Sequence, residues 1–483
     1  MRKGLWIVVL TFGITPLFSQ SLEADKKQAV QALDAQLDHF GAIAHEIWGF
    51  AELGFQEDQS TALLQKTLTD AGFQVEQGVA GMPTSFIASY GSGKPVIAFL
   101  AEFDALADMA QEAVPMQEPI KGQAAGHACG HHLFGTGSVA AAIQVKEWLK
   151  KTGTSGTIRL YGTPAEEGGG GKVFMVRGGL FNDVDAVLTW HPSSQNAANA
   201  SATLAAVGMK FRFHGVAAHA AAGPWRGHSA LDGVEAMDVM VNMLREHVTP
   251  ESRIHYAITN GAKAPNIVPA EAEVYYIIRH PDMNELRDMI QRIIRAAEGA
   301  AMGTDTKVDY EYINGYFNVM PNATLASLMH DNLEQVGGVK YNDAERNFAL
   351  EIMKTYPADK LTPESAMGVE PFKIVEKGGY ASTDVGDISW VVPTASMGAA
   401  TWVPGTIAHS WQAVAAGGTT IGPKGMLVAA KTLTLSAMDL FTHPEVLVKA
   451  KGELEERRGK DFKYESLIGD REPPLDYMKL DNR

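Results

Sequence analysis

Short apolar runs alternate with helical segments through the first two hundred residues, and this alternation limits the fold more than any other feature. The length of each run is typical of a buried strand. A βαβ rhythm of this kind predicts an α/β sheet with helices on its faces. The predicted elements are strand 96–100, helix 133–150, strand 157–161 and strand 186–190. Before them, apolar residues at three- and four-residue steps predict one amphipathic helix over 25–50 and another over 61–70.

The pattern changes at about residue 207. Four strand-like runs and two helical segments follow in the order βαββαβ, which is typical of a compact, ferredoxin-like α+β domain. After Pro321 the earlier helical and apolar pattern resumes, and residues 398–409 are predicted to form a strand leading into a loop. We therefore predict that 207–317 is inserted into one domain formed by 21–206 and 318–483. The last forty residues are expected to form a surface helix and a tail without chemistry of their own.

Residues 1–20 have the layout of a secretory signal peptide. The cations Arg2 and Lys3 precede an apolar stretch, and small or polar residues lead to Ser21. The apolar stretch is too short for a comfortable membrane span, although an uncleaved N-terminal anchor is an alternative. We expect a periplasmic or secreted protein with no membrane attachment after cleavage. The single cysteine, Cys129, does not lie at the cleavage site, so lipid anchoring is not expected.

The charge and cysteine content narrow the possible functions. The 41 Lys and Arg against 56 Asp and Glu give a net charge of -15, which argues against nucleic acid as a partner. Cys129 has no second cysteine with which to form an internal disulfide. Because an exposed thiol is a liability in an oxidising compartment, Cys129 is either buried and inert or occupied as a ligand.

The segment Gly126–His132 places one thiol and three imidazoles within seven residues, at the start of a predicted helix. Thiolate and imidazole are ligands for zinc, manganese or a similar divalent ion. The flanking glycines allow Cys129 and His131 to point at one centre. The alternative is that the histidines cap the helix or satisfy hydrogen bonds in the core.

Glu166 and Glu167 form a second candidate site directly after the strand at 157–161, and four glycines follow them. Adjacent carboxylates at a strand end allow one to bind metal while the other faces a water molecule. A glutamate pair in a loop is more often simply solvated. The glycines favour the functional interpretation, because they allow close approach of the backbone to a ligand.

Three further candidates follow predicted strands. Asp104 closes the strand at 96–100, His191 ends the strand at 186–190, and His409 follows the run that begins at Gly398. A single histidine is more often a satisfied structural residue than a ligand. However, open α/β sheets bind their ligands at the carboxyl ends of strands, where these residues and the glutamate pair fall. Their convergence predicts a common site.

These segments resemble the M20 metallopeptidase family, and within it the amidohydrolase branch that cleaves N-acyl amino acids. The resemblance runs from about residue 30 to 440 and is nearest to the aminobenzoyl-glutamate hydrolase-like members. It depends on ordered matches at 126–131, 164–171, 190–192, 215–222 and 405–411, and the nearer likeness depends on 213–220 and 382–387.

The resemblance implies a di-metal aminopeptidase-like catalytic domain with an inserted lid that also makes a homodimer. It implies a pair of divalent ions, Mn²⁺ or Zn²⁺, with Glu166 as general base. His219 would stabilise the oxyanion in a neighbouring subunit, Asn266 and Arg279 would bind a substrate carboxylate, and Asp104 would orient a ligand. The implied metal ligands are Cys129, His131, Glu167, His191 and His409. Many relatives carry an acid or amide where this chain has His132.

The predicted reaction is hydrolysis of an amide in a small N-acyl or N-aroyl amino acid by metal-activated water. A dipeptidase or carboxypeptidase of the same family is one alternative. A thiol hydrolase with Cys129 as nucleophile and His131 or His132 as base is another. The non-enzymatic alternative is a periplasmic binding protein that keeps the fold and has lost catalysis.

Overall fold

The computed structural model describes residues 15–358, 360–376 and 381–478, with side chains from residue 21 onward. The predicted signal peptide lies outside the described residues except for 15–20, which begin the first helix. Within the described ranges, no helix is long and apolar enough to cross a membrane.

The elements fall into a larger unit interrupted by a smaller one. Before the interruption the elements are α1 (Thr15–Asp34), α2 (Leu37–Phe50), α3 (Asp58–Asp70), β1 (Gln74–Gln77), β2 (Phe86–Ser92), β3 (Val96–Ala101), β4 (Leu106–Ala107), β5 (Ala125–Gly126), α4 (His131–Thr152), β6 (Gly156–Gly162), α5 (Gly171–Arg177), β7 (Ala186–Ser193) and β8 (Ala200–Ser201). The smaller unit contains β9 (Ala205–His214), β10 (Ala218–His219), α6 (Ala230–Leu244), β11 (Arg253–Asn260), β12 (Ile267–Val268), β13 (Glu271–His280), α7 (Met283–Gly303) and β14 (Lys307–Tyr316). The larger unit resumes with α8 (Ala323–Val336), α9 (Asp343–Met353), β15 (Ile374–Val375), α10 (Val385–Ser389), β16 (Thr394–Ala400), α11 (Trp411–Gly417), α12 (Ile421–Thr442) and α13 (Pro444–Arg458).

A six-stranded mixed sheet forms the centre of the larger unit, in the order β1-β2-β6-β3-β7-β16. The last four strands of that order are parallel, and β1 and β2 make the antiparallel edge. Every residue of β3 is buried, as expected for a strand covered on both faces. Helices α4 and α12 contact each other and the sheet, so the core continues between them. The carboxyl ends of β6, β3, β7 and β16 consequently meet at one edge.

The smaller unit, which we call the lid, has a four-stranded antiparallel sheet in the order β11-β13-β9-β14. Alternate residues of β13 are buried, because one face of the sheet packs against α6 and α7. The opposite face of β13 carries Glu273, Tyr275 and Arg279. The antiparallel pair of two short strands, β10 and β12, was absent from the predicted order.

The predicted fold class is confirmed: an α/β domain is interrupted by an α+β lid. Three details differ. The helix predicted over 25–50 is two helices, because the chain turns at Ala35 and Gln36 while the apolar spacing continues in phase across the break. The strand expected from Gly398 begins earlier, at Thr394, and ends at Ala400, so residues 401–409 form the loop that leads to His409. The tail after α13 is not a bare surface segment, because it returns to the carboxyl edge of the sheet.

Candidate metal centre

The candidate ligands meet at the carboxyl edge of the central sheet. Glu166 and Glu167 follow β6, His191 lies near the end of β7, and His409 is in the loop after β16. Cys129 and His131 come from the turn that begins α4. Gly130, in that turn, has a φ of +79°, and a Cβ there would lie 2.7 Å from Pro192 Cβ, so only glycine fits between the two ligand segments.

Asp104 holds His131 in one tautomer. Asp104 Oδ1 lies 2.9 Å from His131 Nδ1, and both side chains are buried. With the Nδ1 hydrogen donated to Asp104, loss of the other proton leaves the lone pair on Nε2, as metal-ligating histidines require. Burial acts to lower the pKa of His131, but Cys129, Asp104 and Glu102 raise it well above its ordinary value, so a metal ion at Nε2 would displace a proton.

His191 is held in the same way. Its Nδ1 lies 2.7 Å from the carbonyl of Pro192, which leaves Nε2 facing Cys129 Sγ at 3.4 Å. Burial lowers the pKa of His191 to about 4, so the ring is the neutral, ligating form. Burial also raises the pKa of the Cys129 thiol, and a coordinating cation would reverse this shift by favouring the thiolate.

Glu167 and His409 form the third contact of the cluster. Glu167 Oε1 lies 3.0 Å from His409 Nε2. The backbone N–H of His409 donates to Ala128 O at 2.9 Å, which joins the His409 loop to the Cys129 turn. Burial acts to raise the pKa of Glu167, but the hydrogen bond with His409 and the charges of His131 and His409 together outweigh it and lower that pKa.

These side chains fit a divalent metal. Among the described residues, their ligand atoms form two groups whose members lie within 4.8 Å of one another, Cys129 with His131 and His191, and Cys129 with Glu167 and His409. His131 Nε2 is buried and makes no hydrogen bond, although Glu102 Oε2 lies 3.1 Å from it, and a bound metal ion would satisfy this nitrogen. Cys129 belongs to both groups, so it is the residue placed to be shared by a pair of ions.

Glu166 lies close to His131 and Glu102, outside the two groups that contain Cys129. It forms a further group of possible ligands with Glu102 and His131, again within 4.8 Å. Burial and the neighbouring carboxylates of Glu102 and Glu167 raise the pKa of Glu166 well above its ordinary value. A carboxyl group with a raised pKa, beside a cluster of ligands, is suited to proton transfer.

A buried ion cluster, absent from the sequence analysis, supports this edge of the site. Lys172 Nζ lies 2.7 Å from Glu102 Oε1 and 2.6 Å from Asp384 Oδ1, and all three side chains are buried. Lys172 therefore compensates the charge of Glu102. The signals available in the sequence were a lysine directly after the four glycines and an acidic residue in the matched segment 382–387.

Glu57 is a second residue that the sequence analysis missed. Its carboxyl group accepts the N–H of Ala165 at 2.8 Å and the hydroxyl of Thr84 at 2.8 Å. Ala165, next to Glu166, has a φ of +56°, a conformation that costs energy in a residue with a side chain. No spacing rule links Glu57 to this turn, since they are more than a hundred residues apart.

The other two imidazoles of the Gly126–His132 segment do not face the cluster. His127 Nε2 lies 3.0 Å from Ile47 O, and His132 Nε2 lies 3.2 Å from Gly417 O. Burial lowers the pKa of His127 to about 3 and that of His132 well below its ordinary value. Hydrogen bonding in the core, the alternative weighed for the segment, therefore applies to these two.

The lid candidates are only partly brought together. His219 lies on β10, which pairs with β12, and Asn266 directly precedes β12, where its carbonyl accepts the N–H of Ala220 at 3.0 Å. Within the described chain, no hydrogen bond or ion pair joins either residue to the ligand cluster. Arg279 lies on the sheet face opposite the lid helices, with Nη1 3.5 Å from Ser382 Oγ and a buried Nε that makes no hydrogen bond.

The fold and site together define an α/β protein with an inserted lid and a metal-ligand cluster at the carboxyl edge of its central sheet. Residues 98–410 match the model of peptidase family M20/M25/M40. The chain belongs to this family, which confirms the predicted resemblance, and it is a hydrolase that acts on amide bonds.

Individual relatives agree with this assignment. The chain is 41% identical to one of the subunits of the p-aminobenzoyl-glutamate hydrolase of Escherichia coli K12, over 87% of this chain and 93% of that protein. It is 31% identical to the Xaa-Arg dipeptidase of Mus musculus, over 88% and 91% of the two chains. The structure of the aminobenzoyl-glutamate utilization protein from Klebsiella pneumoniae superposes with a TM-score of 0.60 at 18% identity, covering 85% of this chain and 97% of that one, and shows the same fold.

Proposed function

We propose that this protein hydrolyses the amide bond of N-acyl or N-aroyl amino acids, of the aminobenzoyl-glutamate type, at a centre that holds a pair of divalent ions, Mn²⁺ or Zn²⁺. The observation that carries the proposal is the convergence of the ligand cluster on Cys129, with Glu166 beside it. The relative that is 41% identical is named for hydrolysis of p-aminobenzoyl-glutamate, which supports the substrate class.

The residues that would hold the ions are Cys129, His131, Glu167, His191 and His409. Bound divalent ions would lower the pKa of a water molecule and polarise the amide carbonyl. Glu166 accepts the proton of the attacking water and returns it to the nitrogen of the leaving amine. The products are a carboxylic acid and an amino acid. Asp104 and Pro192 O keep His131 and His191 in their ligating tautomers throughout.

The lid supplies the remaining groups of the proposed mechanism. Arg279 binds the substrate carboxylate through its unpartnered Nε and a terminal nitrogen, since a guanidinium matches a carboxylate in a forked geometry. Asn266 binds the substrate carboxylate together with Arg279, and His219 acts on a neighbouring subunit, where it stabilises the tetrahedral oxyanion. The exposure of His219 on β10, away from its own ligand cluster, agrees with this role.

The catalytic assignment is tested by Glu166→Gln. The amide keeps the size of the side chain but cannot accept a proton, so turnover should fall by about a thousandfold. Metal content, measured by atomic absorption after dialysis, should stay at the wild-type value. Glu46→Gln, an exposed change on α2, is the matched control. Retained turnover in Glu166→Gln would refute the assignment.

Metal removal separates this proposal from the rival thiol hydrolase and binding protein. Chelation should abolish hydrolysis, and added Mn²⁺ or Zn²⁺ should restore it. A thiol hydrolase would stay active without metal, although burial raises the pKa of Cys129 and so disfavours the nucleophilic thiolate. A binding protein without catalysis would turn over no substrate under either condition.

The substrate class is tested with a panel of N-acyl amino acids, N-aroyl amino acids and dipeptides. Arg279→Met removes a charge-assisted hydrogen bond, so KM for carboxylate substrates should rise about tenfold. The matching carboxamides should not respond to the substitution. Preference for dipeptides over all acylated amino acids would favour the dipeptidase alternative, the activity for which the Mus musculus relative is named.

We also propose a homodimer formed through the lid and export to the periplasm or beyond. The exposed apolar side chains of Trp225 and Ile267 lie beside the β10–β12 pair that carries His219, which is consistent with an interface there. Sedimentation and N-terminal mass analysis of the mature protein measure the two properties. If His219 acts across subunits, a mixture of Glu166→Gln and His219→Ala chains should recover about a quarter of wild-type activity through heterodimers.

A further inference from the structure

The chain after α13 crosses both units before it reaches the metal centre. We call residues 459–478 the strap. It forms no helix or strand, yet it makes contacts at three places along its length. The first contact lies between the lid and the larger unit, the second is with β14 of the lid, and the third is with the Glu166–Glu167 loop.

The first contact lies where the lid joins the larger unit. The Tyr464 hydroxyl donates to Asp387 Oδ1 at 2.6 Å, and its ring centroid lies 5.2 Å from that of Phe317, which directly follows β14. Leu467 packs against the core of the lid, whereas Ile468 is buried in the core of the larger unit. The strap therefore bridges the two cores.

The second contact fastens the strap to β14. The Arg471 guanidinium donates to the carbonyl of Tyr312 and, at 2.5 Å, to that of Ile313, and it lies 3.1 Å from Glu311 Oε1. The register of the β9–β14 pair shifts between Tyr312 and Asn314, and the guanidinium donates at this irregularity. From the other side, Arg177 at the end of α5 donates to Gly469 O at 2.9 Å.

The third contact reaches the metal-ligand loop. The Tyr477 hydroxyl donates to the carbonyl of Glu167 at 2.8 Å, and its ring packs edge-on against Phe55 with centroids 5.7 Å apart. A Cβ added to Gly54 would lie 2.4 Å from the Tyr477 hydroxyl oxygen, so glycine at that position leaves the space that the hydroxyl occupies.

Tyr477 is one of three side chains that hold the backbone of Glu167 and Gly168 by hydrogen bonds. The N–H of Glu167 donates to Asp104 Oδ2 at 2.9 Å, and its carbonyl accepts from Tyr477. The next carbonyl, of Gly168, accepts from Asn314 of the lid at 3.3 Å. The glycines that follow Glu167 would otherwise leave this segment free to rotate. Both ends of the Glu167 backbone are thus held, and with them the directions of the Glu166 and Glu167 side chains.

We propose that Tyr477 is a positioning residue, through which the strap holds Glu166 and Glu167 in the arrangement that the reaction needs. Because the strap also contacts the lid, it couples that arrangement to the position of the lid on the larger unit. The inference rests on the proposed function of these two glutamates. A small displacement of a proton-transfer group lowers the rate of the chemical step more than it weakens substrate binding. The hydroxyl should therefore affect kcat and leave KM largely unchanged.

Tyr477→Phe tests the role, because it removes only the hydroxyl. Hydrogen exchange on the metal-free protein should become about fivefold faster in the peptide covering 164–171, since the Glu167 carbonyl loses its donor. In the metal-loaded protein kcat should fall by about fivefold to tenfold while KM stays within about twofold of wild type. Tyr310→Phe, an exposed hydroxyl on the lid, is the matched control and should change neither reading.

The outcomes separate the strap from the proposed function. Unchanged exchange and unchanged kcat in Tyr477→Phe would overturn the positioning role, even if the melting temperature fell. A rise in KM with constant kcat would also overturn it, because it would place the effect on binding. If Glu166→Gln stays active, the proposed function fails, yet faster exchange in metal-free Tyr477→Phe would still establish the strap's hold on the loop.

Discussion

Ala165 holds a strained backbone conformation beside the metal centre. Its φ of +56° is rare for a residue with a side chain, and the neighbouring Glu166 and Glu167 depend on the turn that it makes. His409, with a φ of +60°, is a second such position within the same site. Strain of this kind persists only where surrounding bonds hold it, and at Ala165 the holding group is Glu57.

The role of Glu57 is testable at this scale. Burial, with a contribution from Asp104, raises the pKa of Glu57 to about 8, so its carboxyl group is largely neutral at pH 7. Glu57→Gln keeps an acceptor for the Ala165 N–H and a donor for Thr84, and kcat should stay within about twofold of wild type. Glu57→Ala leaves the Ala165 N–H without an acceptor, which should lower the free energy of unfolding by about 1–3 kcal/mol and reduce kcat.

Urea unfolding and steady-state kinetics measure the two effects. Glu46→Ala, an exposed change on α2, serves as the control for loss of a glutamate side chain. Equal impairment of Glu57→Gln and Glu57→Ala would show that the charge of Glu57 matters and not its hydrogen bonds.

Helix α5 shows how a short element can organise a site. It begins at Gly171, the last of the four glycines, and its second residue is Lys172, whose N–H and Nζ both donate to Asp384. Through Asp384 the helix is joined to α10, and through Glu102 to the end of β3. One buried ammonium thus compensates carboxylates from two other elements.

Loss of that ammonium should be costly. Lys172→Met leaves Glu102 and Asp384 buried without a cation, so the free energy of unfolding should fall by about 3–5 kcal/mol. Chemical denaturation of the metal-free protein measures the change without interference from bound ions. Lys150→Met, at an exposed position near the end of α4, should be nearly neutral. A loss for Lys172→Met no larger than for Lys150→Met would contradict the compensating role.

At the scale of the whole molecule, Asp387 joins three parts of the chain. It lies on α10, accepts the N–H of Phe317 at 2.9 Å where the lid rejoins the larger unit, and accepts the Tyr464 hydroxyl of the strap. Burial raises its pKa to about 7 from the ordinary 3.8. The folded protein therefore holds a proton at Asp387 over a range in which the unfolded chain has released it.

This shift predicts a dependence of stability on pH. Between about pH 4 and pH 7 the folded state binds more protons at Asp387 than the unfolded state, so its contribution to the free energy of unfolding falls as pH rises, by about 1.4 kcal/mol per unit. Asp387→Asn keeps partners for Phe317 and Tyr464 and removes the titration. Urea unfolding from pH 5 to pH 8 should show that the free energy of unfolding of the variant depends less on pH than that of wild type. The stability of the variant relative to wild type should be greatest above pH 7.

An exposed change on the strap, Asp461→Asn, controls for the loss of an acidic group. If wild type and Asp387→Asn have parallel stability profiles over this range, the buried carboxyl of Asp387 is not the titrating group.

Much of the fold could be predicted because burial leaves a regular mark on a sequence. The βαβ rhythm around β3 indicated the central sheet, the βαββαβ order of the later elements indicated the lid, and the fold class was confirmed. The break between α1 and α2 was missed because the apolar spacing continues across it and does not report the turn of the backbone. The pairing of β10 with β12 was missed because strands of two residues carry no period.

The sequence by itself determined which residue types could serve chemistry here, because thiol, imidazole and carboxylate groups clustered after predicted strands, and parallel strands bring their carboxyl ends to one edge. Only the tertiary structure decided which atoms face one another: His131 and not His127 or His132, Cys129 at the meeting of both ligand groups, and Lys172 against Glu102. Contacts such as Glu57 with Ala165 and Tyr477 with Glu167 join residues 108 and 310 positions apart, and no local pattern encodes separations of that length. They arise from packing, which the chain specifies only as a whole.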